Sequence, residues 1–451
     1  VSKFPNSWKK LTLDHLCGQR GQSINPSKTP DRKFELYSVP SFPDHYPEIV
    51  CGKEIGSNKQ LVEPRSVLLC KINPRINRVW VVDDFTKHTK IASTEWIVFP
   101  STDEVQPEFL CYFLQQHTVR DFLAHNASGV GGSLTRVKPS ILRDFPFAYP
   151  KLPEQKRIVA EIEKQFTRLD AGVAALRRVQ ANLKRYRAAV LKSACEGKLV
   201  PTEAELAKAK GRKYETGEQL LKKILTERRK NWSGRGKYKE PAAPDTANLP
   251  ELPEGWAWIS LDQSCSKITD GEHLSPTTTD EGVCLLSAKD VREQGVLFDD
   301  PKFVSAGDAE QFRKRCDPER GDVLIVSRGA TIGRICVVQT DAVFCLMGSV
   351  ILLKPCLPIS GKYLSLCLAE NRAKVTLGLL SGSTAQQAIY IRDIRPFSIP
   401  LPPLAEQTRI VEEVERRLSM VDELESLVGT NLQRATKLRQ SILQKAFSGE
   451  L

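Results

Sequence analysis

The sequence predicts an α/β protein: two globular domains alternate with two long helices that pair as an antiparallel coiled coil, in an internal repeat with pseudo-two-fold symmetry. Three observations predict it. The phrase EQKRIVAEIE at 154–163 returns as EQTRIVEEVE at 406–415, and the likeness runs on without a gap for about sixty residues: Leu142 meets Ile394, Asp170 meets Asp422, Leu191 meets Leu443 and Gly197 meets Gly449. Within each copy, apolar residues recur at coiled-coil spacing. The segments before the two copies also resemble each other, more faintly, as strands and short helices. A chain of 451 residues is long enough for two or three domains with cores of their own. A repeat at about half the chain length therefore reads as a duplicated architecture.

Five segments follow in order: a globular domain over 1–150, a long helix within 151–200, a basic helical connector and linker over 201–250, a second globular domain over 251–400, and a C-terminal long helix over 401–451. Phe4-Pro5-Asn6-Ser7-Trp8 opens the first domain as Leu252-Pro253-Glu254-Gly255-Trp256 opens the second. Further on, SVLLCKINPRINRVWVV (66–82) lies over DVLIVSRGATIGRICVV (322–338). In each, two apolar, β-branched runs flank a turn of Gly, Asn or Pro, which predicts a hairpin or neighbouring strands. Short amphipathic helices are predicted near 107–125 and 361–379. A Gly/Ser loop then follows in each half, SGVGGSLTR (128–136) and SGSTAQQ (381–387).

In the first long helix Ile162, Leu169, Leu176, Leu183 and Val190 recur every seven residues, with Val159, Phe166 and Val173 between them. The second carries Val414, Val421, Val428, Ala435 and Ile442 on the same seam, joined by Val411, Leu418 and Leu432. Prolines precede each helix (Pro150, Pro153; Pro402, Pro403) and Gly197 or Gly449 closes it, the expected punctuation of a helix start and stop. About forty residues at 1.5 Å each give a rod of roughly 60 Å. Neither rod buries its seam alone, so the two are expected to pack on each other. Gln180, Arg187, Glu425 and Arg439 fall on seam positions, where polar residues fix register. In the connector, TGEQLLKKILTERRKNW (216–232) begins with a Thr216/Gln219 capping box and reads as a helix. Residues 233–250 read as a flexible linker.

Composition narrows the function. With 41% hydrophobic and 27% charged residues the chain is globular, and no apolar run approaches the roughly 18 residues needed to cross a bilayer. The opening VSKFPNSWKK has no apolar signal core, and the twelve cysteines form no CxxC pair. Reduced cysteines in a cytoplasmic protein are expected, without zinc or a disulfide framework. The net charge is +12, and it is unevenly spread. Residues 1–150 carry 19 basic and 15 acidic side chains, residues 151–240 carry 24 and 11, and residues 241–451 carry 23 and 28. Such a localised excess attracts a polyanion such as DNA, although a solvated basic helical face has the same composition.

Enzyme motifs are missing. GRGKYK (234–239) lacks P-loop spacing, Gly129, Gly131 and Gly132 miss GxGxxG, and the six histidines form no HExxH or other close ligand spacing. What the domains offer is loops rich in side chains that hydrogen-bond phosphates and base edges. The candidates in the first domain are Lys71, Arg75, Arg78, Ser133, Thr135, Arg136 and Lys138. In the second they are Lys289, Arg292, Arg328, Thr331, Arg334, Thr384, Gln386 and Gln387. An ordinary surface position or turn cap explains any one of them equally well; the clusters carry the weight.

At LPEGWAWISL (252–261), ITDGEHLSP (268–276), RCDPERGDVLIVSRGATIGR (315–334), SGSTAQQ (381–387) and PLPPLAEQTRIVEEV (400–414) the chain resembles the specificity subunit of type I restriction-modification enzymes, over essentially its full length. The resemblance implies two target-recognition domains and a helical spacer that docks other subunits. It implies no cofactor on this chain. Two separate modification subunits would use S-adenosylmethionine to methylate adenine in double-stranded DNA, and two restriction subunits would use ATP and Mg. No NPPY-type tetrapeptide occurs here: Asn25-Pro26 and Asn73-Pro74 continue as Ser-Lys and Arg-Ile. In the first domain ITDGEHLSP and RGATIG have no clear counterpart. Two other classes remain as alternatives: a coiled-coil adaptor with protein-binding end domains, which predicts negligible DNA sequence preference, and a self-contained methyltransferase or nuclease, which predicts turnover by this chain alone.

Overall fold

The computed structural model describes residues 4–17, 22–129, 135–142, 144–233, 236–380 and 387–451. The chain divides into two compact units, residues 1–179 with 427–451, and residues 180–426. The long helices span Leu152–Cys195 and Leu404–Ser448, so each helix begins in one unit and ends in the other.

The first unit holds a five-stranded mixed sheet in the order Ser23–Ile24, Lys59–Leu61, Thr89–Ser93, Lys33–Tyr37, Glu48–Cys51, in which only Lys33–Tyr37 and Thr89–Ser93 run parallel. A three-stranded antiparallel sheet follows, Val79–Val81, Val67–Cys70, Trp96–Phe99. Strand Lys9–Thr12 pairs with Pro146–Tyr149 just before the long helix begins. Helices Pro107–Leu114 and His117–His125 cover the smaller sheet.

The second unit repeats the plan. Strand Ala257–Ser260 pairs antiparallel with Ser398–Leu401, again just before a long helix. An antiparallel sheet runs Cys265–Asp270, Val350–Pro355, Val323–Val326, Ile335–Val337. Helices Gly361–Ala369 and Asn371–Leu380 take the places of the two short helices of the first unit. A three-stranded mixed sheet, Lys302–Val304, Val283–Leu286, Phe344–Leu346, completes the domain. The connector belongs to this unit. Helices Glu203–Lys210 and Gly217–Lys230 are both N-capped by Thr boxes, with Thr216 Oγ1 accepting from Gln219 N at 3.2 Å. Leu220 and Ile224 enter the core. Described residues of 233–250 form neither helix nor strand, yet Ser260 Oγ donates to Ala242 O (2.7 Å) and Trp258 Nε1 to Pro250 O (3.1 Å). These bonds tie the linker to the domain, which corrects the expectation of a free tether.

In each unit the start of one long helix packs against the end of the other, so the pair is antiparallel. Ile158, Val159, Ile162 and Phe166 share a core with Ile442, Leu443, Ala446 and Phe447 in the first unit. Val190, Leu191 and Ala194 share one with Ile410, Val411 and Val414 in the second. Among the remaining seam positions Leu183, Val421 and Val428 are buried, while Leu169, Leu176 and Leu418 are half-buried. The polar seam residues make equivalent contacts. Arg187 pairs with Asp422 and lies 3.4 Å from Glu425. Arg439, the residue equivalent to Arg187, pairs with Asp170 at 2.7 Å.

The repeated phrase itself is structural. Gln155 Nε2 donates to Pro150 O (2.8 Å) while its Oε1 accepts from Gln106 N (2.8 Å). Gln407 does the same with Pro402 O (3.1 Å) and Ser360 N (3.3 Å). The glutamate before each glutamine takes the indole N–H of the domain's opening tryptophan, Trp8 on Glu154 at 3.4 Å and Trp256 on Glu406 at 3.0 Å. Each phrase therefore fastens a globular domain to the helix that follows it.

Candidate nucleic-acid interface

One backbone construction occurs in both units. In the first, strands Val67–Cys70 and Val79–Val81 are joined by a turn in which Asn73 and Asn77 have φ of 48° and 51°. In the second, Val323–Val326 and Ile335–Val337 are joined by a turn with Gly329 and Gly333 at 97° and 79°. Asn and Gly are the residues that reach this left-handed region at low cost. Each turn closes with the same bond, Cys70 N to Arg78 O (3.0 Å) and Val326 N to Arg334 O (2.9 Å). The chain returning from the Gly/Ser loop then crosses each turn. Ile72 bridges Arg136 and Val137 N donates to Lys71 O (3.1 Å); Arg328 bridges Ala388 and Ile389 N donates to Ser327 O (2.9 Å). NPRIN in the first domain is thus the counterpart of GATIG in the second, as the overlay of 66–82 on 322–338 places them, although only the isoleucine is shared.

The first turn brings Lys71, Arg75, Arg78, Thr135 and Arg136 together, with Lys138 exposed on the returning segment. Lys71 is half-buried, and burial pulls its ammonium below the ordinary value against the opposing pull of the Glu95 carboxylate. Arg75 is exposed at the tip of the turn. Arg136 pairs with Glu95 at 3.0 Å, and Thr135 donates to Asn73 Oδ1 from its amide at 3.3 Å. Arg78 turns partly inward and donates to Ile72 O at 3.4 Å.

The second turn carries Arg328, Thr331 and Arg334, crossed by the segment that includes Gln387. Arg328 and Gln387 are exposed. Arg334, at the position of Arg78, also points to main chain and donates to Val291 O at 2.9 Å. That bond brings the exposed Arg292 beside the turn. Lys289 is occupied by Asp300, whose main-chain oxygen lies at 2.7 Å and whose carboxylate lies at 3.3 Å. Ser133, Thr384 and Gln386 lie outside the described residues.

Composition alone did not single out a third group. His273 Nε2 lies 2.9 Å from Asp270 Oδ2, and Arg315 pairs with the other Asp270 oxygen. Asp270 and His273 lie beside the second turn in one cleft with Arg328, Tyr390 and Arg392. The signals in sequence were the D-G-x-H spacing of ITDGEHLSP and the arginine that opens RCDPERGDV. Among the described residues no cluster suits a metal ion, and no helix is long and apolar enough to cross a membrane.

Comparison with known proteins bears on this geometry. A family model described as the type I restriction modification DNA specificity domain matches residues 285–426. The chain is 25% identical over 345 residues to the specificity subunit of the type I restriction enzyme EcoBI of Escherichia coli, covering 74% of this chain and 65% of that subunit. It thus spans slightly less than two thirds of that relative. It is also 23% identical to the specificity subunit of the Escherichia coli enzyme EcoDI, over 100% of this chain and 90% of the relative. A chain in a solved structure concerned with complex assembly and conformational transition of the type I R-M system has a TM-score of 0.69, covers 100% of both chains and is 23% identical. That likeness shows a common fold. Residues 285–426, most of the second domain and the start of the helix after it, thus match a DNA specificity domain. The matched relatives are specificity subunits of type I restriction enzymes, the family that the sequence motifs resemble.

Proposed function

We propose that this chain is the sequence-specific DNA-recognition subunit of a type I restriction-modification complex, and that its two domains read the two halves of an interrupted site in double-stranded DNA. The observation that carries this reading is the pair of equivalent turns: the same main-chain bonds present Lys71, Arg75 and Arg136 in one unit and Arg328, Thr331 and Gln387 in the other. A shared frame with different side chains suits two readers of different base sequence, since phosphate contacts position and base-edge contacts specify. The chain works in the cytoplasm, binds no cofactor and catalyses nothing itself. Two modification subunits bring S-adenosylmethionine and methylate one adenine in each half-site. Two restriction subunits bring ATP and Mg for cleavage. The helix pair sets the unread gap between the half-sites, whose centres repeat at about 34–36 Å per DNA turn on one face.

The test is a base-resolution adenine methylation map of DNA from cells expressing the chain with its neighbouring methyltransferase, beside maps with each alone. The expected result is a bipartite motif only when both are present. Methylation by this chain alone, or no new motif from a confirmed active complex, would overturn the proposal.

A further inference from the structure

Neither the hairpin turns nor the helix pair accounts for the ITDGEHLSP segment. It closes strand Cys265–Asp270 and folds back on the neighbouring strands: Glu272 N donates to Leu346 O (2.8 Å), and Gly348 N donates to Glu272 O (2.7 Å). A Cβ at Gly271 would strike the Leu346 carbonyl, and one at Gly348 would lie 2.6 Å from His273 Nδ1. The Glu272 carboxylate accepts the amides of His273 and Leu274 at 2.9 and 3.1 Å. With its ring against Gly348 and its Nε2 on Asp270, His273 is held in one place.

This fixed turn forms one side of a cleft of about 330 Å³ whose other walls include Ser327, Arg328, Tyr390 and Arg392. Asp270 is matched by Arg315, and Arg392 lies over the Tyr390 ring at 5.1 Å and 3.5 Å from Asp393, which leaves Arg328 as the cation of the lining that no carboxylate among the described residues holds. Arg328 is exposed, so the cleft favours an anion. Planar guanidinium groups fit phosphate oxygens, and an exposed aromatic ring suits the neighbouring sugar or base.

Resting on the reading of this chain as a DNA-recognition subunit, we propose that the cleft seats one backbone phosphate of the DNA, with Arg328 and Arg392 as its ligands, Tyr390 against the adjoining sugar, and the Asp270–His273 turn as its floor. Such a contact fixes how the second domain sits on the duplex and carries no base preference of its own.

The experiment uses the full chain in complex with its methyltransferase and two probes of equal length, a duplex with the mapped motif and a random-sequence duplex. Binding is followed from about 0.05 to 0.2 M salt. For Arg328→Gln and Arg392→Gln we expect affinity to fall by about fivefold to tenfold on both probes, and the slope of log affinity against log salt to drop by about one each. Lys437→Gln, an exposed change on the C-terminal helix outside the basic segment 151–240, should move neither. Unchanged affinity and slope in both arginine variants would overturn the proposal. So would loss on the motif alone, which would make these arginines base readers. If slopes drop as expected but the wild-type complex does not prefer its motif, the cleft stands and the specificity reading fails.

Discussion

The two units answer the same structural demand with different chemistry. Where the end of the second long helix enters the first unit, Phe447 packs on Phe109 and Phe113 with ring centroids 5.0 and 5.4 Å apart. Where the first long helix ends in the second unit, the equivalent residue is Cys195, beside Cys367. The fastening glutamate differs too. Glu154 is half-buried on Trp8, whereas Glu406 is fully buried and accepts from both Trp256 and Glu203 N, the latter at 2.8 Å. The first unit closes its helix junction with aromatic packing, and the second relies more on buried hydrogen bonds. The repeated plan is therefore held by main-chain geometry and seam spacing, while the side chains that fill it have diverged.

The largest effect should come from the aromatic junction. Phe447→Ala is expected to destabilise the first unit by about 3–5 kcal/mol, and Cys195→Ala the second by about 1 kcal/mol, read from denaturant midpoints. Equal losses would mean that the junctions are not built differently. Next comes the glutamate pair. Glu406→Ala strands two buried donors and should cost about 2–3 kcal/mol, against less than about 1 kcal/mol for Glu154→Ala. Burial raises the Glu406 carboxyl above its ordinary value. The unfolded chain therefore ionises first, and this residue's contribution to stability falls as pH rises through the carboxylate range. Glu406→Gln should remove that slope.

At the turns the expected changes are smaller. Gly333→Ala should cost about 1 kcal/mol through its positive φ. Asn77→Gly should cost about as much for another reason, since the Asn77 side chain donates to Leu114 O at 3.0 Å. Smallest are the seam ion pairs. Arg187→Glu should cost about 0.5–1 kcal/mol and be restored by adding Asp422→Arg, because partly exposed pairs contribute little. Thermal melts of the single and double variants would show whether the recovery is absent.

Much of the fold was legible because its signals are local or periodic. Ile162 to Val190 and Val414 to Ile442 repeat at seam spacing, and Asn-Pro or Gly-rich runs mark turns wherever they fall. The role of the repeated Glu-Gln was not legible, because Glu154 meets a tryptophan 146 residues away in sequence. Of the interface, sequence could nominate the arginines of the turns but not their directions. Arg78 and Arg334 donate to main-chain carbonyls, and Lys289 is already paired with Asp300. Those outcomes depend on strands brought alongside by tertiary packing. The linker after 233 looked free because it lacks periodicity, while its anchors are single bonds to Ser260 and Trp258.

The central claim, that two copies of one frame read two half-sites independently, is tested most directly by exchanging residues 251–400 for the equivalent domain of a relative and mapping adenine methylation with the same methyltransferase. One half of the bipartite motif should change while the other half and the gap are kept. A change in both halves, or in neither, would contradict the account.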